Sequence, residues 1–186
     1  MNMQPLSQFD RLLPYILRHE GVSSTNPTGL ADIPNDPGGT TNWGISQAAW
    51  ASLVSRFPGY PLNVKDLTRD QATAIYKEVY YLPICDNLPP STAMLIFDCE
   101  VNEGMGLIIL QRAIGTIDDG KWGPESDQAL RLALRSITKL NECIIWHRLL
   151  HYTSLARSDT ATSQRGFLVK LWIPRLNVCR AEERTL

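Results

Sequence analysis

The chain has 186 residues and a mass of 20.9 kDa, enough for one domain or two tightly fused lobes that bury roughly 70% of the extended-chain surface. Hydrophobic residues at 44%, charged residues at 20%, and 12 Gly and 12 Pro spread along the chain exclude disordered, collagen-like and low-complexity classes. The net charge of −1 argues against nucleic acid as the main partner, yet it is uneven: residues 1–126 carry 8 basic and 14 acidic side chains, and residues 127–186 carry 10 and 5. That asymmetry suits either orientation on an anionic polymer or a solvated helix face.

In chain order, the spacing of Leu6, Phe9, Leu12, Leu13, Ile16 and Leu17 predicts a helix over 7–19, capped by Ser7 with Asp10. Pro14 is expected to kink it or mark its true start, and Glu20-Gly21 to end it. Residues 21–43 are rich in Ser, Thr, Asn, Pro and Gly and read as a long loop, or a loop with a short hairpin, of a length that tends to be functional. Helical patterns then occupy 46–57, 68–81 with a Thr68/Gln71 capping box, 91–103, 107–115, 126–136, 138–155 and 164–180. Residues 58–61 and 88–91 are short breaks, and 115–124 is a second turn-rich stretch with Asp119-Gly120 as its tightest turn. The expected fold is mainly α, without internal repeats.

The longest apolar runs, 93–97 and 107–110, are far short of the roughly 20 residues that span a bilayer. The N-terminus lacks a basic stretch followed by an apolar one, so no signal peptide is expected. Cys85, Cys99, Cys143 and Cys179 are widely spaced, with buried free thiols as the default and two disulfides as the alternative in an oxidising compartment.

The chemistry-bearing stretch is His19-Glu20-Gly21 followed by residues 35–46, which combine a carboxylate at a helix end with Asp36 and Thr41 in a Gly-rich turn. A carboxyl at a helix C-terminus faces the negative end of the dipole, which favours the protonated form a general acid needs. Asp36, before Pro37-Gly38-Gly39, sits on a turn that can return its carboxylate towards Glu20, and Thr41 supplies a hydroxyl able to hold water. Two carboxylates across a cleft are the minimum for glycoside hydrolysis. The plainer alternative makes Glu20 a solvated helix end and Asp36 a turn cap.

Glu20-Gly21 and the run Asn35-Asp36-Pro37-Gly38-Gly39-Thr40-Thr41-Asn42-Trp43-Gly44-Ile45-Ser46 resemble the signature of glycoside hydrolase family 108, the N-acetylmuramidases of phage endolysins. The resemblance continues through Leu67-Thr68-Arg69-Asp70-Gln71-Ala72, Ile75-Tyr76 and Tyr80-Tyr81, and through Ile96-Phe97-Asp98 with Val101-Asn102-Glu103-Gly104. Leu110-Gln111-Arg112-Ala113-Ile114-Gly115 with residues 119–124 resembles the family's predicted peptidoglycan-binding segment, and Gly166-Phe167-Leu168, Trp172 and Arg175 resemble its closing helix. The resemblance implies a lysozyme-like helical fold with a small loop or β-hairpin region after the first helix. It divides the chain into a catalytic segment, 6–92, and a peptidoglycan-binding helical segment, 93–180, expected to pack as one continuous lysozyme-like domain. It also implies cleavage of the β-1,4 bond between N-acetylmuramic acid and N-acetylglucosamine. Glu20 matches the family's catalytic glutamate, Asp36 the aspartate before Pro-Gly-Gly, and Thr41 the threonine before Asn-aromatic-Gly. Glu20 would protonate the glycosidic oxygen while Asp36 and Thr41 hold a water on the opposite face, with inversion if the carboxyls lie about 6.5–9.5 Å apart. The sequence departs from the family in Glu20-Gly21-Val22-Ser23, which lacks the second Gly and the Tyr, and in a longer stretch before Asp36. Asp32 therefore competes with Asp36 as the second carboxylate.

Trp43 and Trp122 are candidate sugar platforms, with core packing as the alternative. Trp50, Trp146 and Trp172 lie on helical apolar stripes and are expected in the core. Asn102 and Glu103 are binding candidates that equally suit a helix end. Cys143, His147 and His151 share one helix face, but three ligands over two turns fit a single tetrahedral ion poorly, so neither metal nor cofactor is expected. The expected partner is bacterial peptidoglycan, met by a monomer that reaches the wall from the host cytoplasm through a holin or a secretion system, the latter with a cognate inhibitor protein. A bacteriolytic muramidase leads; a lytic transglycosylase and a catalytically silent peptidoglycan-binding protein are the alternatives.

Overall fold

Local sequence signals carry directly into the first helix. In this computed structural model, which describes residues 6–32 and 38–158, α1 runs Gln8–His19 and buries Phe9, Leu12, Leu13, Ile16 and Leu17 on one face. Ser7 and Asp10 form a reciprocal capping box. The helix passes through Pro14 without ending or starting there. Pro14 and Asp10 are both exposed, so the carbonyl deprived of its N–H partner faces water.

The chain divides into two compact units, Met1–Val79 and Tyr80–Leu186. In the first, the segment after α1 is shaped by Asn26, whose Oδ1 accepts from Leu30 N at 3.1 Å while its own N–H reaches Ser23 Oγ at 3.0 Å. A short antiparallel hairpin follows, β1 (Thr41–Asn42) paired with β2 (Ile45–Ser46), with Ala31 bridged to Thr41. Ser46 caps α2 (Gln47–Leu53), and Thr68 with Gln71 caps α3 (Arg69–Ile75). The helix expected over 46–57 thus ends earlier and closes in a 3₁₀ turn, Val54–Arg56. That expected over 68–81 changes after Ile75 into a π-helical turn, Tyr76–Tyr80. Trp50 is fully buried beside Phe57 and Tyr60, and its Nε1 donates to Pro61 O at 2.8 Å.

The second unit is built on α4 (Pro90–Glu103), whose residues Thr92–Cys99 are all buried. It packs against α5 (Gly106–Ile114) and α7 (Ile137–Ser158), with α6 (Pro124–Ala133) against α5 and α7. Gln111 organises the connection after α5: its amide donates to Lys121 O at 2.9 Å and Asp119 Oδ1 at 3.2 Å and accepts from Gly120 N at 2.8 Å. The helix expected over 164–180 and Trp172 lie outside the described residues. The expected class, mainly α with a small hairpin after the first helix, is the one observed.

Two expectations are corrected. Trp146 is not core but 58% exposed. The inward stripe of α7 is Leu140, Ile144, Arg148 and Tyr152, at steps of four, and Trp146 falls about 200° around the helix from Ile144. Cys143, about 100° around the helix from Ile144, is also exposed, whereas Cys85 and Cys99 are buried; these three thiols are free, and Cys179 lies outside the described residues.

Candidate active site

Glu20 is the C-cap of α1. Gly21 takes φ +86°, its N–H donates to Arg18 O at 3.1 Å, and Val22 N donates to Leu17 O at 3.0 Å. These bonds form a Schellman closure, which needs a residue free to enter the left-handed region at Gly21. The closure fixes the backbone direction of Glu20.

The hairpin supplies the facing wall. Its two-residue turn, Trp43-Gly44, has φ +55° and +79°, the signs of a type I′ turn. A Cβ placed on Gly44 would lie 2.4 Å from Glu20 Cβ, 2.6 Å from Glu20 Cγ and 2.6 Å from Tyr76 Oη. The stem of Glu20 therefore rests directly on the glycine. Positive φ is costly for a bulky residue such as Trp43. All three of its hydrogen-bonding groups are engaged: the N–H donates to Thr28 O at 2.6 Å, Nε1 donates to Leu67 O at 3.0 Å, and the carbonyl accepts from Tyr76 Oη at 2.9 Å. Asn42 anchors the preceding strand by donating to the carbonyls of Val64, Lys65 and Leu67 at 2.9, 3.2 and 3.3 Å.

Thr41 opens this hairpin, half-buried and paired with Ser46. Asp36 lies outside the described residues. Asp32 is exposed and committed elsewhere, with Oδ2 2.9 Å from Lys65 Nζ and Oδ1 accepting from Thr40 Oγ1 at 3.1 Å. The bond from Lys65, then that from Thr40 and the lysine charge, hold the Asp32 carboxyl below the usual carboxylate range. Trp43 is 9% exposed, so its ring packs rather than standing open.

The other candidates belong to the second unit. Glu103 is locked into a buried ionic cluster: its Oε1 accepts from Arg148 Nε at 2.7 Å and from Tyr152 Oη at 2.5 Å. Arg148 is fully buried and also pairs with Asp98 at 2.7 Å. Asn102 is exposed and donates to Tyr152 Oη at 2.9 Å. Trp122 is half-buried, its Nε1 donating to Asp127 Oδ1 at 2.7 Å, and its ring lines a cavity of about 300 Å³ with Leu82, Pro83, Ile84, Asn87 and Leu107. Among the described residues no three His, Cys, Asp or Glu side chains form a metal-binding group.

Sequence reasoning did not anticipate the roles of Gly44 and Tyr76 beside Glu20, or of Arg148 in the second unit. A charged residue in the Leu140, Ile144, Tyr152 stripe was the available signal for Arg148.

A helix-end glutamate seated against a hairpin in a mainly α chain is an arrangement suited to acid-assisted bond cleavage. Residues 13–104, which include it, match the family model described as Glycosyl hydrolase 108, and glycoside hydrolysis is the chemistry this segment supports. Among solved structures the chain is similar to SagA of Brucella abortus, with 27% identity and a TM-score of 0.73 over 95% of this chain and 94% of that one. No curated protein sequence matches.

Proposed function

We propose that the protein is a peptidoglycan hydrolase, an N-acetylmuramidase that cleaves the β-1,4 bond between N-acetylmuramic acid and N-acetylglucosamine. The observation that carries this reading is the placement of Glu20, fixed by the α1 closure and by contact with Gly44, within the segment matching the hydrolase family. In this role Glu20 donates its proton to the glycosidic oxygen as the bond breaks. Thr41 and Asp36 hold and activate the water that attacks the anomeric carbon. The engagement of Asp32 by Lys65 and Thr40 supports Asp36 as the second carboxylate. Trp122, with its ring oriented by Asp127 beside an apolar cavity, suits the flat face of a pyranose. The fixed amide of Asn102 suits a sugar hydroxyl or N-acetyl group, whereas Glu103 serves the fold through Arg148. The enzyme acts at the wall after holin release or secretion.

The test is fragment release from purified peptidoglycan by the wild type and by Glu20→Gln, Asp36→Asn and Thr41→Ala. The expected result is soluble fragments with reducing N-acetylmuramic acid ends from the wild type, none from Glu20→Gln, and losses of about 10²-fold or more from Asp36→Asn. Full activity in Asp36→Asn would overturn its role. Anhydro ends would move the assignment to a lytic transglycosylase, and wall binding without release by the wild type would leave a silent binding protein.

A further inference from the structure

Tyr76 stands where α3 widens into the π-helical turn Tyr76–Tyr80, its N–H shared between the carbonyls of Ala72 and Thr73. Such turns are frequent at functional sites because they re-aim the side chains that follow regular helix. The side chain is 1% exposed, and its only hydroxyl proton is directed to the carbonyl of Trp43 at 2.9 Å. Its oxygen and the Glu20 stem both border the space that a Gly44 side chain would occupy.

The turn it grips is strained, because Trp43 holds φ +55°, a conformation that persists only when its surroundings over-determine it. Two of the three restraints on Trp43, from Thr28 and Leu67, act on its amide and its ring; Tyr76 alone among the described contacts acts on its carbonyl, next to Gly44. We propose that Tyr76 is a positioning residue for Glu20: its hydroxyl clamps the Trp43-Gly44 turn as the wall that keeps the general acid in place. The inference rests on the muramidase reading. A phenylalanine would keep the packing and remove the clamp, letting the turn relax away from Glu20. The proton of Glu20 is needed in the transition state, so its misplacement lowers kcat and leaves substrate binding nearly unchanged.

The experiment measures kcat, KM and thermal midpoint for the wild type, Tyr76→Phe and Glu20→Gln on soluble, uncross-linked glycan strands. The expected result for Tyr76→Phe is a folded protein with kcat lowered by about five-fold or more and KM within about three-fold. A smaller loss in kcat, or a loss expressed in KM, overturns the inference while an inactive Glu20→Gln leaves the function standing. Wild-type activity in Glu20→Gln removes the functional reading itself. A Tyr76→Phe protein that does not fold likewise overturns the inference, because the hydroxyl then serves the fold as a whole rather than the placement of Glu20.

Discussion

Gly44 leaves no room for a methyl group, since a Cβ there would penetrate both carbons of the Glu20 stem, at 2.4 and 2.6 Å. Gly44→Ala must either push Glu20 aside or abandon φ +79°, with a strain of about 1–2 kcal/mol at the backbone alone. The expected outcome is a protein that folds but turns over glycan about 10²-fold more slowly, read as kcat against thermal midpoint. Near-normal kcat would show that Glu20 does not depend on this wall. The place of Glu20 at the end of the first helix was legible, because a helix pattern closing in Glu20-Gly21 is a local signal. It could not show that Tyr76 meets Trp43, a pairing across 33 positions set by packing rather than by propensity. Likewise Glu103 reads in sequence as a binding candidate that equally suits a helix end, and only the buried Arg148 opposite reveals that it is held inside.

At the scale of elements, α1 shows how far local chemistry reaches. Its capping box was readable from Ser7 and Asp10, and Ser7→Ala is expected to cost about 1 kcal/mol in a denaturation curve. Helix α7 was harder, because apolar residues surround it and its inward stripe contains an arginine. There the decisive term is charge. Arg148 sits fully buried between Asp98 and Glu103, and Arg148→Met, which strands both carboxylates, is expected to destabilise the protein by about 3–5 kcal/mol. A loss below about 1 kcal/mol would mean that the cluster is more hydrated than its geometry implies.

Alkaline pH tests the same cluster through Tyr152, and separately the buried Cys85 thiol. Burial, then the nearby Glu103 carboxylate, pushes the Tyr152 hydroxyl above its usual range despite the opposing Arg148 charge. Burial likewise pushes the Cys85 thiol up to about 12. In both cases the folded state keeps a proton that the unfolded chain releases, so their contribution is complete below the unfolded values and is lost as pH rises above them. Thermal midpoints are expected to fall from about pH 9 upward, with a shallower fall in Tyr152→Phe and in Cys85→Ala. An unchanged slope in both variants would place the alkaline sensitivity elsewhere.

At the scale of the whole molecule, the class and, over the described residues, the order of the helices were legible because capping residues, glycines and prolines punctuate the chain at its real joints. The boundary between compact units at Val79 and Tyr80 was not, since it falls inside the Tyr76–Tyr80 π-helical turn, where no proline or glycine marks it. The family match, residues 13–104, runs across that boundary. Under the proposed function, water activated opposite Glu20 ends up on the sugar. Digestion of purified peptidoglycan in heavy-oxygen water, followed by mass spectrometry of the new ends, reads this directly. One heavy oxygen is expected at each new reducing N-acetylmuramic acid end, and no new ends with Glu20→Gln. Unlabelled anhydro ends, or labelled ends undiminished in Glu20→Gln, would contradict it.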